Sequence, residues 1–170
     1  MKRSELIISV LLALMFLTPI SLKALIFTVG DIQYWVTYVD EEVIVDKYVG
    51  SDDILTLSVP GTVTYDNQEF TVTSIGVHAF SELNSLREIT LPSSVTVIRS
   101  GAFSGCTNLV DINIPEGVTS IEGTAFSECK SLSEIIIPSS VTSIGDWAFG
   151  HCTNLAKVNI PEGVTSIGDY

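Results

Sequence analysis

Three cysteines share one position of a repeating sequence pattern. Cys106, Cys129 and Cys152 follow one another at intervals of 23 residues. A zinc site needs four ligands in a tetrahedral arrangement, whereas identical positions in stacked repeats form a line. Stacked repeats would bring neighbouring cysteines within disulfide distance, and the odd count would leave one thiol over. The pattern favours a row of buried thiols; a disulfide between two neighbours and a functional thiol are the alternatives.

Other residue types that carry out catalysis are not grouped. His78 and His151 occupy different positions of the repeat, and no acidic residue keeps a fixed spacing from either. The serines lie in repeated turns, without the Gly-x-Ser-x-Gly context of a nucleophile. A glycine-rich phosphate loop is absent from the sequence. The acids at 40–42 lack the regular ligand spacing of a calcium loop. We therefore predict that the protein is not an enzyme and uses no metal or cofactor.

Charge narrows the choice of partners. The 170 residues include 20 acidic and only 8 basic residues, for a net charge of -12. A nucleic-acid surface needs clustered lysine and arginine, and anionic lipid would repel this chain. We predict no nucleic-acid partner, and the simplest role of the negative charge is solubility.

Residues 1–24 are predicted to be a secretory signal peptide. Lys2 and Arg3 precede an apolar stretch over 6–17, which is shorter than a membrane span of about 20 residues. Ala24 is a plausible last residue before cleavage, and an uncleaved anchor is the alternative. Removal of this segment takes away three basic residues and one acid and leaves a net charge of -14. We expect a secreted or cell-surface protein with no membrane insertion after signal removal.

A 23-residue repeat sets the elements that position these side chains. Residues 72–163 contain four regular copies, and 164–170 begin a fifth. Stacked copies would place equivalent residues about 4.8 Å apart, so a column that stays apolar points inward. The inward columns are Ile75, Ile98, Ile121 and Ile144; Ala79, Ala102, Ala125 and Ala148; Phe80, Phe103, Phe126 and Phe149; Leu86, Leu109, Leu132 and Leu155; Ile89, Ile112, Ile135 and Val158; and Leu91, Ile114, Ile137 and Ile160.

Each copy predicts two short extended segments and one turn. Residues 134–137, at the end of the third copy, alternate as a strand that Pro138 ends, and residues 141–144, at the start of the fourth, form a second extended segment. A helical or 3₁₀ turn is predicted to begin at Asp146. Trp147 on this turn is either an exposed aromatic contact or a partly buried side chain.

The sequence before the regular copies has two parts. Residues 25–49 are predicted to be an N-terminal β cap, a hairpin of 34–39 with 43–45 that covers the apolar end of the stack. Residues 50–71 are a degenerate first coil with a hairpin insertion over 64–71, turned at Asp66 and Asn67.

The copies closely resemble leucine-rich repeats of the bacterial BspA type. The shared pattern is LxxIxIPxxVTxIxxxAFxxC, which here runs from Leu109 to Cys129. The resemblance is strong over 72–170 and weak over 50–71. It implies an α/β leucine-rich-repeat solenoid: a right-handed, β-rich superhelix with a parallel sheet on one face. It also implies a surface or secreted protein that adheres to host proteins or to other cells.

Two columns between the inward isoleucines are predicted to point outward on the sheet face. Ile136 stands out because its offset is polar in the other three copies, and an apolar side chain ringed by polar groups suits a protein contact. The first column is Glu88, Asp111, Glu134 and Lys157, and the second is Thr90, Asn113, Ile136 and Asn159.

We predict that these columns, Thr90 excepted, bind a host or neighbouring-cell surface protein, as in an adhesin. The simpler alternative is a solvated face without a partner. Two other functions stay open: a structural spacer or self-assembling surface-layer component without a specific ligand, and a carbohydrate-directed surface protein.

The fifth copy is begun and not closed at residue 170. Its strand edges and apolar columns would be bare, which favours association. Either the chain is a piece of a longer array, or it covers this end by pairing with another copy. We therefore expect a homo-oligomer through the C-terminal coil.

Overall fold

The computed structural model describes residues 26–37 and 42–169. The predicted signal peptide at 1–24 and most of the acidic turn at 40–42 lie outside these ranges. Within them, no helix is long and apolar enough to cross a bilayer.

The N-terminal part is a three-stranded antiparallel arrangement. Strands β1 (Ile26–Val29), β2 (Ile32–Val36) and β3 (Glu42–Tyr48) pair in that order. The hairpin between β2 and β3 sets Tyr34 opposite Val45, while β1 is a strand that the sequence did not predict. Strand β3 then pairs in parallel with β6 (Gln68–Ile75), which joins this part to the repeats.

The inserted hairpin is formed by β5 (Thr62–Tyr65) and the first half of β6. Asp66 and Asn67 make its two-residue turn with φ of 52° and 59°. Positive φ at both central residues is the geometry of a tight hairpin turn, and Asp and Asn tolerate it better than most side chains.

The repeats build parallel ladders on two sides of a shared core. On one side, β6 is followed by β8 (Val97–Ile98), β10 (Ser120–Ile121), β12 (Ser143–Ile144) and β14 (Ser166–Ile167). On the other side, β4 (Thr56–Ser58), β7 (Glu88–Thr90) and β9 (Asp111–Asn113) form one sheet, and β11 (Glu134–Ile136) and β13 (Lys157–Asn159) form another. The register keeps the 23-residue step, as in Ile135 opposite Val158.

Most inward columns are buried, but the last strand departs from the prediction. Ile135 and Ile137 are buried, whereas the equivalent Val158 and Ile160 are 40% and 50% exposed. The physical reason is that β13 pairs with β11 on one side, and no further strand of the described residues covers its other side.

The predicted helical or 3₁₀ turn is wrong: the segment is a series of turns, and the described residues contain no helix. Two offsets of every repeat have positive φ, which a right-handed helix excludes. The first holds His78, Gly101, Thr124 and Trp147, and the second Glu82, Gly105, Glu128 and His151.

Alternate backbone donors in this segment reach the following repeat, and the donors between them bond to the carbonyl three residues back in the same turn. Phe80, Phe103 and Phe126 donate their N–H groups to the carbonyls of Ala102, Ala125 and Ala148 at 2.8, 2.8 and 2.7 Å. An α-helix would use the carbonyl four residues back in the same segment. The turns are therefore held both by bonds to the next repeat and by local turn bonds, without forming a helix.

All three cysteines are free, so the disulfide alternative is not formed. Their Sγ atoms donate to the carbonyls of Phe80, Phe103 and Phe126 at 3.0, 3.3 and 3.0 Å. Each thiol thus bonds to the backbone of the repeat before it.

Candidate interaction surface

The exposed side chains of β4, β7, β9, β11 and β13 form one surface, here called the sheet face. The three residues of β7, β9 and β11 are exposed, buried and exposed in turn. This alternation follows from the pleat, which sends successive side chains to opposite sides of a strand. Ile89, Ile112 and Ile135 fill the buried positions and anchor the strands to the core.

The structure places all seven predicted binding residues on the sheet face, and all are exposed. The parallel register sets Glu88 beside Asp111 and Thr90 beside Asn113. On the next pair of strands, Glu134 lies beside Lys157 and Ile136 beside Asn159.

The first outward column is acidic along most of its length. Lys157 Nζ lies 3.3 Å from Glu134 Oε2, with the two side chains 74% and 53% exposed. A pair this exposed contributes roughly 0–1 kcal/mol, so it orients the side chains more than it stabilises the fold. Within the described residues no ion pair involves Glu88 or Asp111. These two carboxylates therefore remain open to a cationic group.

Ile136 is the most exposed large apolar side chain of the described residues, at 65%. It lies between polar side chains, because Asn159 flanks it in the register and Glu134 precedes it on the same strand. Isolated exposed apolar residues are common, but one fixed on a strand within a charged surface can enter a partner's pocket without reordering.

Two further apolar side chains on this side were missed by the sequence interpretation. Leu55 and Val110 are exposed and precede β4 and β9 at the same repeat offset, which also holds Arg87. Arg87 N–H donates to the Leu55 carbonyl, and Val110 N–H donates to the Arg87 carbonyl. These bonds align the residues at this offset. Along this offset Leu55 and Val110 lie on either side of Arg87, an order that is readable in the sequence.

A second exposed feature lies on the surface formed by the turns with positive φ, such as residues 147–151, here called the turn side. The rings of Trp147 and His151 stack with centroids 5.5 Å apart, and Trp147 is 40% exposed. His151 and His78 occupy different repeat offsets, and Trp147 occupies a different offset from His151. Comparing residues at equal offsets therefore did not bring His151 and Trp147 together. The relevant signal is their spacing of four residues, which joins the two positive-φ offsets of one repeat.

The thiols have little reactivity as nucleophiles, because burial favours their protonated form. Burial raises the pKa of Cys106 to about 12, and it also raises the pKa of Cys129 and of Cys152. In the described ranges, no three His, Cys, Asp or Glu side chains converge as metal ligands would.

These features define the class: parallel strands repeated every 23 residues, with a sheet face and a turn side. The family model described as BspA type leucine rich repeat region matches residues 62–170 in six copies. The chain therefore belongs to the BspA-type leucine-rich-repeat family. This model describes a repeat region and indicates no catalytic domain.

Solved bacterial leucine-rich-repeat proteins have the same fold. A leucine-rich repeat protein from Bacteroides ovatus is 38% identical over 84% of this chain, with a TM-score of 0.79. The T. pallidum leucine rich repeat protein is 33% identical over 84% of the chain, with a TM-score of 0.75. A leucine rich cell surface protein from Faecalibacterium prausnitzii is 26% identical over 85%, with a TM-score of 0.66.

The chain spans 37%, 64% and 45% of the lengths of these three proteins. No curated protein sequence gives a significant match.

Proposed function

We propose that this chain is a protein-binding module of a secreted or cell-surface protein, and that the sheet face makes the contact. The observation that carries the proposal is Ile136, an exposed apolar side chain held on a strand beside Glu134 and Asn159. The name of the F. prausnitzii relative, a cell surface protein, supports this location.

The partner that fits best is a protein on a host or neighbouring cell with a basic rim and a small apolar pocket. Glu88 and Asp111 would face the rim, and Ile136 would enter the pocket. Asn113 and Asn159 would supply hydrogen bonds at the edge of the contact. Charge complementarity would raise the association rate, so binding should weaken as salt increases.

The architecture suits this role. We infer a right-handed solenoid in which β1, β2 and β3 cover the first repeat, since Tyr48 N–H donates to the Ala79 carbonyl at 2.8 Å, as Phe80, Phe103 and Phe126 donate to the alanine of the next repeat. A stack supported by its neighbours holds a long surface rigid without a large globular core.

The test is a double substitution, Glu134→Lys with Ile136→Ser. Both side chains are exposed, so the thermal midpoint should stay unchanged while binding to immobilised extracellular proteins is lost. The matched control is Glu69→Lys with Val77→Ser, which changes one exposed acid and one exposed apolar residue elsewhere. Retained binding in the first variant, or equal loss in both, contradicts the proposed site.

A second candidate function is self-assembly in a surface layer without a specific ligand. The observation that favours it is the exposure of Val158, Ile160 and Ile167 on or beside the last described strands. Electron microscopy of the purified protein should then show end-to-end polymers, and the sheet-face variant should assemble as the parent does.

A further inference from the structure

The sheet face contains one junction at which the ladder of backbone hydrogen bonds is interrupted. At the other junctions, the residue before each strand donates its N–H to the equivalent carbonyl of the previous repeat: Arg87 to Leu55 at 2.8 Å, Val110 to Arg87 at 2.9 Å and Ala156 to Ser133 at 2.9 Å. The N–H of Ser133 makes no such bond to the Val110 carbonyl among the described residues, and β9 and β11 lie in separate sheets. This junction, with its unpaired carbonyl and N–H group, is here called the seam.

The seam is confined to one side of the stack. On the opposite side, β8 and β10 pair in parallel, and Thr119 Oγ1 donates to the Thr96 carbonyl at 3.2 Å. On the turn side, the rings of Phe103 and Phe126 stack with centroids 5.2 Å apart. The second and third copies are therefore in close contact, and the interruption concerns their sheet-face backbone.

Both open groups belong to exposed residues. Val110 is 38% exposed, and Ser133 is exposed as well. Water can bond to main-chain groups at a surface, so the interruption costs little in the unbound protein, whereas the same interruption in the core would be expensive. A partner that replaces this water with its own polar groups forms hydrogen bonds to the main chain of the sheet face.

The side chains around the seam combine apolar surface with negative charge. Val110 lies on one side of the seam, and Ile136, which is 65% exposed, lies on the other. Asp111 and Glu134 begin β9 and β11, so each side also carries a carboxylate. In the described part of the chain Asp111 has no ion pair, and Glu134 pairs with the exposed Lys157. Apolar contacts, carboxylates and open main-chain groups thus occur together at this point of the sheet face.

These groups match an arginine in a peptide segment. A guanidinium carries five N–H donors in one plane, so it can donate to a carbonyl and to carboxylates at the same time. It is more weakly hydrated than the ammonium group of lysine, so it loses less when it leaves water. A carbonyl of the same segment can accept from the open N–H group. A metal ion matches less well, because among the residues that the structure describes no three His, Cys, Asp or Glu side chains converge.

We propose that the seam anchors the partner of the sheet face, through an arginine that lies between apolar residues in an exposed segment of the partner protein. The arginine donates to the Val110 carbonyl and to the carboxylates of Asp111 and Glu134. A carbonyl of the segment accepts from the Ser133 N–H, and an apolar neighbour of the arginine contacts Ile136. The proposed function is a premise here, because the arginine belongs to the protein that the sheet face binds.

The probe is the peptide acetyl-Gly-Ile-Arg-Ile-Gly-amide, and its matched control has citrulline in place of arginine. Citrulline has nearly the same shape as arginine and no charge. In a titration at low salt, we expect the backbone amide signals of Ser133 and Glu134 to shift saturably, and the citrulline peptide to bind at least about fivefold weaker. Asp111→Asn should weaken binding of the arginine peptide by a similar factor. Glu69→Gln, which changes an exposed acid on the inserted hairpin, should bind as the parent does.

Hydrogen exchange tests the seam itself. In the unbound protein, the Ser133 amide should exchange at least about tenfold faster than the Ala156 amide after correction for intrinsic rates, because open backbone groups are less protected. Ala156 is the matched position, since it has the same repeat offset and its N–H is bonded at 2.9 Å. The arginine peptide should slow exchange at Ser133 and leave Ala156 unchanged.

The proposal is overturned if the unbound Ser133 amide is as protected as that of Ala156, if the two peptides bind equally, or if Asp111→Asn and Glu69→Gln have equal effects. Should any of these occur while Glu134→Lys with Ile136→Ser still abolishes binding to extracellular proteins, the sheet-face function stands and the arginine site fails. Should the peptide bind as expected while that double substitution leaves protein binding intact, the arginine site stands and the sheet-face function fails.

Discussion

At the residue scale, two offsets of each repeat adopt positive φ whatever residue occupies them. A non-glycine residue there costs roughly 1–2 kcal/mol, yet histidine, threonine, tryptophan and glutamate all accept it. The second repeat uses Gly101 and Gly105 instead. At Gly101 a Cβ would also meet the His78 ring, but this side chain is exposed and can move aside.

Gly101→Ala should therefore lower the free energy of unfolding by the roughly 1–2 kcal/mol expected from φ, because the exposed His78 ring can rotate away from the added methyl group. The measurement is urea denaturation. Gly61→Ala is the matched control, because its nearest atom would be 3.5 Å away, and it should be neutral or stabilising. Equal effects of both single substitutions would contradict this explanation.

The buried thiols should make stability depend on alkaline pH. A thiol is neutral when protonated, and burial raises the pKa of Cys106 from 9.0 to about 12 in the folded chain. Below pH 9 both states hold the proton, so the free energy of unfolding is unaffected. Above pH 9 the unfolded chain releases protons that the folded chain keeps, so stability falls as pH rises toward 12.

The measurement is the urea midpoint between pH 7 and 11. Replacing Cys106, Cys129 and Cys152 by alanine should reduce the alkaline slope, while the contribution of Tyr34, whose pKa burial also raises to about 12, should remain. An unchanged slope in the alanine variant would remove the thiols as its cause.

At the element scale, the strands are very short and depend on one another. Strands β8, β10, β12 and β14 have two residues each, too few to be stable alone. Side chains extend the ladder: Thr96, Thr119, Thr142 and Thr165 each donate to the carbonyl of the threonine 23 residues earlier at 3.2 Å. The phenylalanine stack links the same repeats on the turn side.

Phe126→Ala should lower the free energy of unfolding by about 3–5 kcal/mol, because the ring is fully buried between Phe103 and Phe149. Hydrogen exchange should accelerate first at the neighbouring amides, such as Phe103, whose acceptor is Ala125. Ile136→Ala, on the exposed face, should change stability by less than about 0.5 kcal/mol. A similar loss in both variants would show that the stack is not central to stability.

At the scale of the whole molecule, the two ends differ. Strand β3 pairs with β6 at the N-terminal end of the repeats, whereas Val158, Ile160 and Ile167 are exposed near the last described strands. Parallel strand edges beside apolar side chains favour pairing with another chain. The proposed association of copies belongs to this end.

We expect the apparent mass of the protein to rise with concentration in sedimentation or light scattering. Ile160→Lys should remain a single copy, because a charge on the apolar edge opposes pairing. Ile136→Lys should associate as the parent does, since it lies on the sheet face. A single-copy mass for the parent over the whole range would refute self-association.

Much of the fold and of the sheet face was predictable from the sequence, because a fixed 23-residue step places the same residue types at the same positions of each repeat. The step sets which side chains stack, so the isoleucine and phenylalanine columns, the register of Glu134 with Lys157, and the outward position of Ile136 follow from it. The hairpin turn at Asp66 and Asn67 followed from turn chemistry.

Only the tertiary structure decided features that depend on contacts between repeats. In place of the expected helical turn, the structure has a series of turns whose alternate backbone N–H groups bond to the next repeat, which no pattern within one repeat reveals. The tertiary structure also placed Trp147 against His151, left the thiols unpaired and exposed Val158. The sequence determined which residues occupy each column, because the 23-residue step can be counted along the chain. Only the structure decided how the columns are covered, because that depends on contacts between neighbouring repeats.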